Sequence, residues 1–324
     1  METSETLQAQ PLFLTPVLQP KIWGGDALHK YYPDLPTAGM GESWAASTYG
    51  QFQSKVATGP CAGQTLQTVW DEHPELFAHP AGAEFPLLVK LLDAHENLSI
   101  QVHPDDQTAR SLFHEPNGKT ECWYILDVQP GARAYYGHRA QTQAELEQAI
   151  AEHRLDDYLV TRPVHPGEII YVPGGTLHAL GAGIVALEVE QNSDNTLRFY
   201  DFDRVDKRTG EKRPLQIEEA LATTRFPTQA PASETTTPRS DPQQPGRTEI
   251  LRSQYFQVAE LDIDQQLALQ PQTQWSINVV IAGQGHLTVG DQVYPIHIGQ
   301  TFVLPVGLPA AQLTGSLKIV QATV

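Results

Sequence analysis

The sequence predicts a mainly β protein: two jelly-roll barrels in tandem, with a few helices decorating them. Three observations carry that expectation. Short β-like runs alternate with scattered breakers, 25 prolines and 24 glycines in 324 residues, which is the pattern of a sandwich or barrel. One polar stretch divides the chain unevenly. A short pattern occurs twice, once on each side of that stretch.

The β runs are TECWYILDV (120–128), EIIYVP (168–173), GIVALEVEQ (183–191), WSINVVIAG (275–283) and HLTVGDQVYPI (286–296). Helical signals are fewer. TLQTVWDEHPELF (65–77) puts Leu66, Val69 and Trp70 on one helical face. Thr142 and Glu145 have capping-box spacing ahead of Leu146 and Ile150, and QIEEALAT (216–223) is a third candidate.

The dividing stretch, PTQAPASETTTPRSDPQQPG (227–246), has no aromatic or large aliphatic residue and is dense in Pro, Ser and Thr. It cannot bury a core and reads as a linker. The expected organisation is a metal-binding unit over 1–226, the linker over 227–246, and a smaller β unit over 247–324.

The repeated pattern is G-x5-P-x-G-x2 followed by one decisive residue. The first copy runs from Gly167 through Pro173 and Gly175 to His178. The second runs from Gly299 through Pro305 and Gly307 to Ala310. Such self-similarity marks a duplicated fold. The first copy keeps a histidine fit to hold a metal; the second has lost it and reads as structural.

Composition narrows the partners. Formal net charge is −17, from 21 Lys+Arg against 38 Asp+Glu. That field disfavours nucleic acid and anionic membranes. It also means that an anionic substrate needs a local cluster of cations. Two cysteines, Cys61 and Cys122, imply no disulfide framework. METSETLQAQ has no apolar core of a secretory signal, and no run approaches the length of a membrane span. A cytoplasmic protein with a short loose N-terminus is expected.

The first copy of the repeat resembles the second metal-binding motif of the cupin superfamily. There, the first motif is an H-x-H pair on a strand, with a glutamate on a later strand. This chain has LSIQVHPDD (98–106), with Gln101 and His103 in those places, and Glu121 follows in TECWYIL. Period two supports the match, because it puts Gln101 and His103 on one strand face before Pro104 stops the strand. Glu121 and His178 reach the same point if the barrel closes. Two imidazoles, one carboxylate and one amide oxygen suit Zn²⁺ or a similar divalent ion and leave it net positive. An isolated histidine among the twelve present is usually ordinary, as His138, His153 and His165 are read here. It is the combination that points to a metal.

The sequence further resembles type I phosphomannose isomerases in their shorter bacterial form. The residues that carry this are KIWGG (21–25), GESW (41–44), FPLLVKLLDA (85–94), LSIQVHPDD (98–106), GKTECWYI (118–125), VPGGTLHALG (172–181) and EVEQNSDNTLRFYDFDR (188–204). They stand in the family's order and span most of the N-terminal unit; the C-terminal unit matches loosely. The resemblance implies interconversion of mannose 6-phosphate and fructose 6-phosphate. It also implies one zinc ion per chain, on Gln101, His103, Glu121 and His178, and a catalytic arginine at Arg198. One departure stands out. Longer family members carry a histidine immediately before the lysine of K-x-E, where this chain has Gly118.

Moving a proton between C1 and C2 needs stabilisation of developing oxyanion charge and a base that reaches carbon. Lys119 shares a strand face with Glu121 by period two. It suits either the base or a charged partner of the phosphate, and Asp194, Glu190 and a metal-bound hydroxide are further candidates for the base. Ser99, on the face of Gln101 and His103, joins Arg204 and Lys119 as candidates for the substrate phosphate. Bland readings stand beside these: an ion pair with Asp194 or Asp201 for Arg198, and a solvated charge amid Asp201, Asp203 and Asp206 for Arg204. Two other functions compete, a metal-dependent cupin oxygenase and a non-catalytic sugar-phosphate-binding cupin. The oligomeric state is not legible.

Overall fold

A computed structural model describes residues 8–35, 39–79, 83–228 and 236–324. The loose N-terminus expected over the first few residues and part of the expected linker, 229–235, lie outside the described residues. The protein is mainly β and its strands form three sheets.

A six-stranded sheet is centred on Leu87–Ala94, Glu121–Val128 and Ile184–Gln191. Facing it is a five-stranded sheet that contains Ile100–Val102, His178–Ala179 and Leu197–Tyr200. Leu92, Trp123, Ile125 and Ala186 from the first meet Ile100, Val102, Ala179 and Phe199 from the second in one core. The third sheet has nine strands, including Gln257–Leu269, Ser276–Val289, Thr301–Leu304 and Ala311–Thr323. One of its faces supplies Leu261, Ile263, Val280, Leu287, Phe302 and Ile319 to a single buried cluster. A sheet can close one face on itself in that way only by curling.

The middle sheet is covered on both sides. Leu87–Ala94 is buried at every position, which is why it reads as an unbroken apolar run with one lysine. Leu87, Val89 and Leu91 point away from the first core and join Ile277, Val279, Val320 and Ala322 of the nine-stranded sheet in a shared cluster. Strand pairing also crosses the expected boundary. Leu12–Thr15 pairs with Thr301–Leu304, so an N-terminal strand completes the C-terminal sheet. Within the expected linker, Arg239–Ser240 pairs with Thr248 and Glu249 as an edge strand.

Local signals behave as their chemistry requires. Thr65 caps helix Leu66–Glu72 by accepting from the Thr68 amide, and Thr142 caps Gln143–Ala151 by accepting from that of Glu145. The third helix is Ile217–Thr223. Ser276–Val289 continues through AGQG, where a break was expected. Glycine is needed there for close approach, because a Cβ on Gly283 would lie 2.0 Å from the Ser316 carbonyl oxygen. The two repeat copies match in backbone as well as sequence. Gly167 and Gly299 have φ of +84° and +85°, and Gly175 and Gly307 have +84° and +79°, a region that side chains avoid. Both cysteines are free and buried. No helix among the described residues is long and apolar enough to cross a membrane.

Removing residues 247–324 uncovers Leu87, Val89 and Leu91, so the truncated chain is expected to aggregate in light scattering, and a soluble, cooperatively unfolding truncation would contradict the shared core. Within the full chain, Ile277→Ala is expected to cost about 3 kcal/mol in denaturant unfolding.

Candidate metal centre and catalytic cavity

The break after LSIQV organises the site. Beyond Ile100–Val102, the His103 carbonyl accepts from the Gly175 amide at 2.7 Å, and the Pro104 carbonyl accepts from the Lys119 amide at 2.8 Å. One strand end therefore pins both segments that carry the remaining site residues. Gln101 pairs in register with His178 on one side and Arg198 on the other. Glu121 pairs with Val172 and with Glu190.

His103, Glu121 and His178 converge, each about 1% exposed, with ligand-type atoms within 4.8 Å of one another. The Nε2 of each histidine lies 3.3 Å from a different Glu121 oxygen. Each imidazole donates its Nδ1 hydrogen to a backbone carbonyl at 2.8 Å, His103 to Asn195 and His178 to Thr176. That leaves an unprotonated Nε2 on both rings, facing carboxylate oxygens that also carry only lone pairs. Neither Nε2 nor either Glu121 oxygen has a hydrogen-bond partner. Buried lone pairs aimed at lone pairs are stable only with a cation between them, so this trio fits a divalent metal. Burial, and then the Lys119 charge, push His103 down to about 3. Burial likewise lowers His178. Neutral imidazole is the form that ligates.

The charge around the trio points the same way. Lys90 Nζ lies 2.7 Å from Glu190, 3.6 Å from Glu188 and 3.5 Å from Asp194. Lys119 Nζ lies 2.9 Å from Glu190 and 3.5 Å from Glu121. Two lysines thus face four carboxylates, and two negative charges remain. Glu190 feels the surplus: burial, and then Glu188 beside it, push its carboxyl well above the usual range, which the lysines only partly offset. Burial alone would lower Lys119, but Glu190 and Glu121 outweigh it and hold the ammonium above its ordinary range. A divalent cation on the trio would bring the cluster to neutrality.

Beside the cluster is a cavity of about 220 Å³, lined by the cations Lys21, Lys90, Lys119, Arg198 and Arg213. Gln101, Ser99, Glu42, Glu188 and Asp194 share its wall, and Glu42 pairs with Lys21 at 3.1 Å. In a chain of charge −17, five cations on one cavity make the local field that an anionic ligand requires.

Models of two family segments match the chain. "Phosphomannose isomerase type I, catalytic domain" matches residues 12–130, and "Mannose-6-phosphate isomerase, cupin domain" matches 247–324. A mannose-6-phosphate isomerase of Streptococcus mutans is 41% identical, over 96% of this chain and 98% of that one. The chain belongs to the type I phosphomannose isomerase family. The crystal structure of the Bacillus subtilis mannose 6-phosphate isomerase is 38% identical and superposes with a TM-score of 0.91, over 98% of this chain and all of that one. A mannose 6-phosphate isomerase solved with zinc bound shares the fold, at 19% identity and a TM-score of 0.75 over 97% and 99% of the two chains.

Against the family expectation, the structure gathers Gln101, His103, Glu121, His178, Lys119, Ser99 and Arg198 at one place. The Gln101 side-chain oxygen accepts from the Ser99 hydroxyl at 3.4 Å. Arg198 donates to the Pro214 carbonyl at 3.1 Å, leaves a buried Nε without a partner and makes no ion pair among the described residues. Asp201 pairs with other arginines, so the bland reading of Arg198 as its ion-pair partner does not hold. Arg204 is placed apart. It donates to the Asn97 carbonyl at 2.6 Å and pairs with Asp201 at 2.5 Å, and it lines a neighbouring cavity. Arg213, which also holds Asp201 at 2.7 Å, reaches the metal-side cavity, as Arg198 does.

Sequence reasoning missed Lys90, Glu188, Arg213 and Lys21. Two signals were present: a lone lysine inside LLVKLLDA, and glutamates alternating in LEVEQ, both on strands otherwise apolar. The missing family histidine before Lys119 has a steric reason. Gly118 packs on the Pro104–Asp106 backbone, where a Cβ would lie 2.5 Å from the Asp105 carbonyl carbon.

Burial raises the Asp201 carboxyl, but hydrogen bonds from Arg213 and Arg204 outweigh it and hold it below the ordinary range. Its stabilisation is therefore present above the unfolded-state pKa of about 4 and fades as pH falls through the depressed folded value. Asp201→Asn is expected to cost roughly 3 kcal/mol at neutral pH, and the gap to wild type should close on acidification in urea melts. A gap independent of pH would contradict the assignment.

Proposed function

We propose that the chain is a zinc-dependent aldose–ketose isomerase that interconverts mannose 6-phosphate and fructose 6-phosphate through a cis-enediol, with one zinc ion per chain. The observation that carries the reading is the metal-ready trio of His103, Glu121 and His178 beside a cavity walled by five cations. The names and identities of the relatives supply the substrate. Gln101 is the proposed fourth ligand, and a bound zinc would supply a Lewis acid beside the substrate oxygens.

The chain's own groups divide the remaining work. Lys119 is held charged by Glu190 and Glu121 and lines the cavity, so it suits an oxyanion at O1 or O2. Arg198 has donors to spare and adds positive charge where negative charge develops. Glu190 lies behind both lysines and off the cavity wall, so it orients them and does not touch substrate. Three carboxylates stand on the wall, Glu42, Glu188 and Asp194; Glu42 is paired with Lys21 at 3.1 Å, and Glu188 and Asp194 are the proposed carriers of the C1–C2 proton. Ser99, Lys21 and Arg213 are the proposed phosphate contacts; Arg204 braces Asp201, which aims Arg213. The free cysteines support a cytoplasmic setting.

An oxygenase or a passive sugar-phosphate binder has no evident use for a lysine buried against the metal trio and a second buried beside it on Glu190. Turnover decides among these readings. Purified protein should convert mannose 6-phosphate to fructose 6-phosphate in a coupled assay. Arg198→Ala should lose about 10²–10³ in kcat while keeping the metal content of wild type. Absence of turnover in metal-loaded protein would overturn the reading.

A further inference from the structure

The repeat locates the C-terminal counterpart of the catalytic site by strand register alone. In the first copy, Val172 faces Glu121 and Ile170 faces Trp123. In the second, the equivalent Leu304 faces Ser276 and Phe302 faces Asn278. One strand further, Glu188 faces Trp123 and Glu190 faces Glu121. Their counterparts are Gln321, which faces Asn278, and Thr323, two residues on along the same strand face. So Ser276, Asn278, Gln321 and Thr323 stand where Glu121, Trp123, Glu188 and Glu190 stand, and Ala310 stands where His178 does. The carboxylates have given way to a hydroxyl, an amide and a hydroxyl.

This end of the curled sheet is polar where it has no packing reason to be. Along its concave face, Leu261, Ile319 and Val280 form an apolar layer. The next layers carry Asn278, Gln321, Ser276 and Thr323, none more than 9% exposed. Buried amides cost free energy unless they are hydrogen-bonded, and apolar side chains would fill the layer without that cost. The amides are wired in one direction. Arg247 Nε donates to Gln321 Oε1 at 3.4 Å, and Gln321 Nε2 donates to Asn278 Oδ1 at 3.1 Å and to Ser276 Oγ at 3.4 Å. Asn278 Nδ2 donates to Ser276 Oγ at 2.9 Å. By inventory, the Ser276 hydroxyl hydrogen and the Arg247 terminal amines are left to donate, and Asn278 Oδ1 and Gln321 Oε1 each keep a lone pair.

Ser276, Gln321, Thr323 and Arg247 open on a cavity of about 190 Å³, also lined by Gln270, Gln272 and Gln274, with Asn278 buried behind its wall. Arg247 is its one charged wall residue, and Asp241, 3.7 Å away, offsets that charge. Spare donors and acceptors in a neutral, polar wall match a neutral polyol. They do not match an anion, a metal or an apolar ligand.

We propose that this cavity is a second, non-catalytic binding site for a neutral polyhydroxylated molecule of monosaccharide size. It is independent of the isomerase reading, because none of its residues belongs to the metal-side cavity.

The test is calorimetric titration of D-mannose into the full-length, zinc-loaded protein. Wild type should bind saturably. Gln321→Met and Asn278→Leu, which keep volume and remove hydrogen bonds, should each weaken binding roughly tenfold, with kcat and KM for mannose 6-phosphate unchanged. Arg247→Gln, on the rim, repeats the test should the buried variants fail to fold. Crystals soaked in D-mannose should show the sugar on Gln321 and Ser276. No saturable binding, or equal binding by wild type and all the variants, would overturn the proposal; the second result would place the sugar in the metal-side cavity.

Discussion

Three glutamates buried side by side on one sheet face repel one another and have lost their water, and the surrounding structure offsets that cost. Glu121 pairs with Glu190 across adjacent strands, and Glu188 lies two residues before Glu190 on the same strand face. Lys90 and Lys119 interleave them, Trp123 donates to Glu188 at 3.1 Å, and two imidazole nitrogens point at Glu121. The protein's own cations stop short of neutrality. The residual negative charge fits the trio to hold a metal rather than to close as an internal salt bridge, and it keeps the lysines charged.

The layered fold is what permits such a cluster. A sheet with one wet face would solvate these groups and relax their mutual demands. Here the middle sheet is sandwiched, by the metal-side sheet on one face and the C-terminal sheet on the other. Alternate residues of Leu87–Ala94 and Ile184–Gln191 serve the two sides. Val89 and Leu187 hold the C-terminal unit, while Lys90 and Glu188 build the site. The C-terminal copy thus packs against the back of the sheet that carries the site.

Much of this was legible in the sequence, and what was not has physical reasons. Period two and the break at Pro104 are local, so they place Gln101 and His103 together and mark the end of their strand. The glycine-proline repeat is local too, and it exposes the duplication. Lys90 and Glu188 were hidden because a charged residue in an apolar strand means nothing until its cross-strand partner is known. Arg204 stood as a phosphate candidate, and the sequence does not show which of the nearby arginines faces the cavity. The chain turns there, and Asp201 binds both Arg204 and Arg213, of which only Arg213 lines the metal-side cavity. The crossing of Leu12–Thr15 into the C-terminal sheet is a long-range pairing that no short window can register.

The central claim is that one divalent cation completes a buried cluster which the chain itself leaves two charges short. The direct test is a zinc titration of metal-stripped protein, following both isomerase activity and the melting temperature. The account predicts that stripping lowers both, and that both recover together and level off at one zinc per chain. Full activity in the stripped protein, or recovery of activity with no gain in stability, would contradict it.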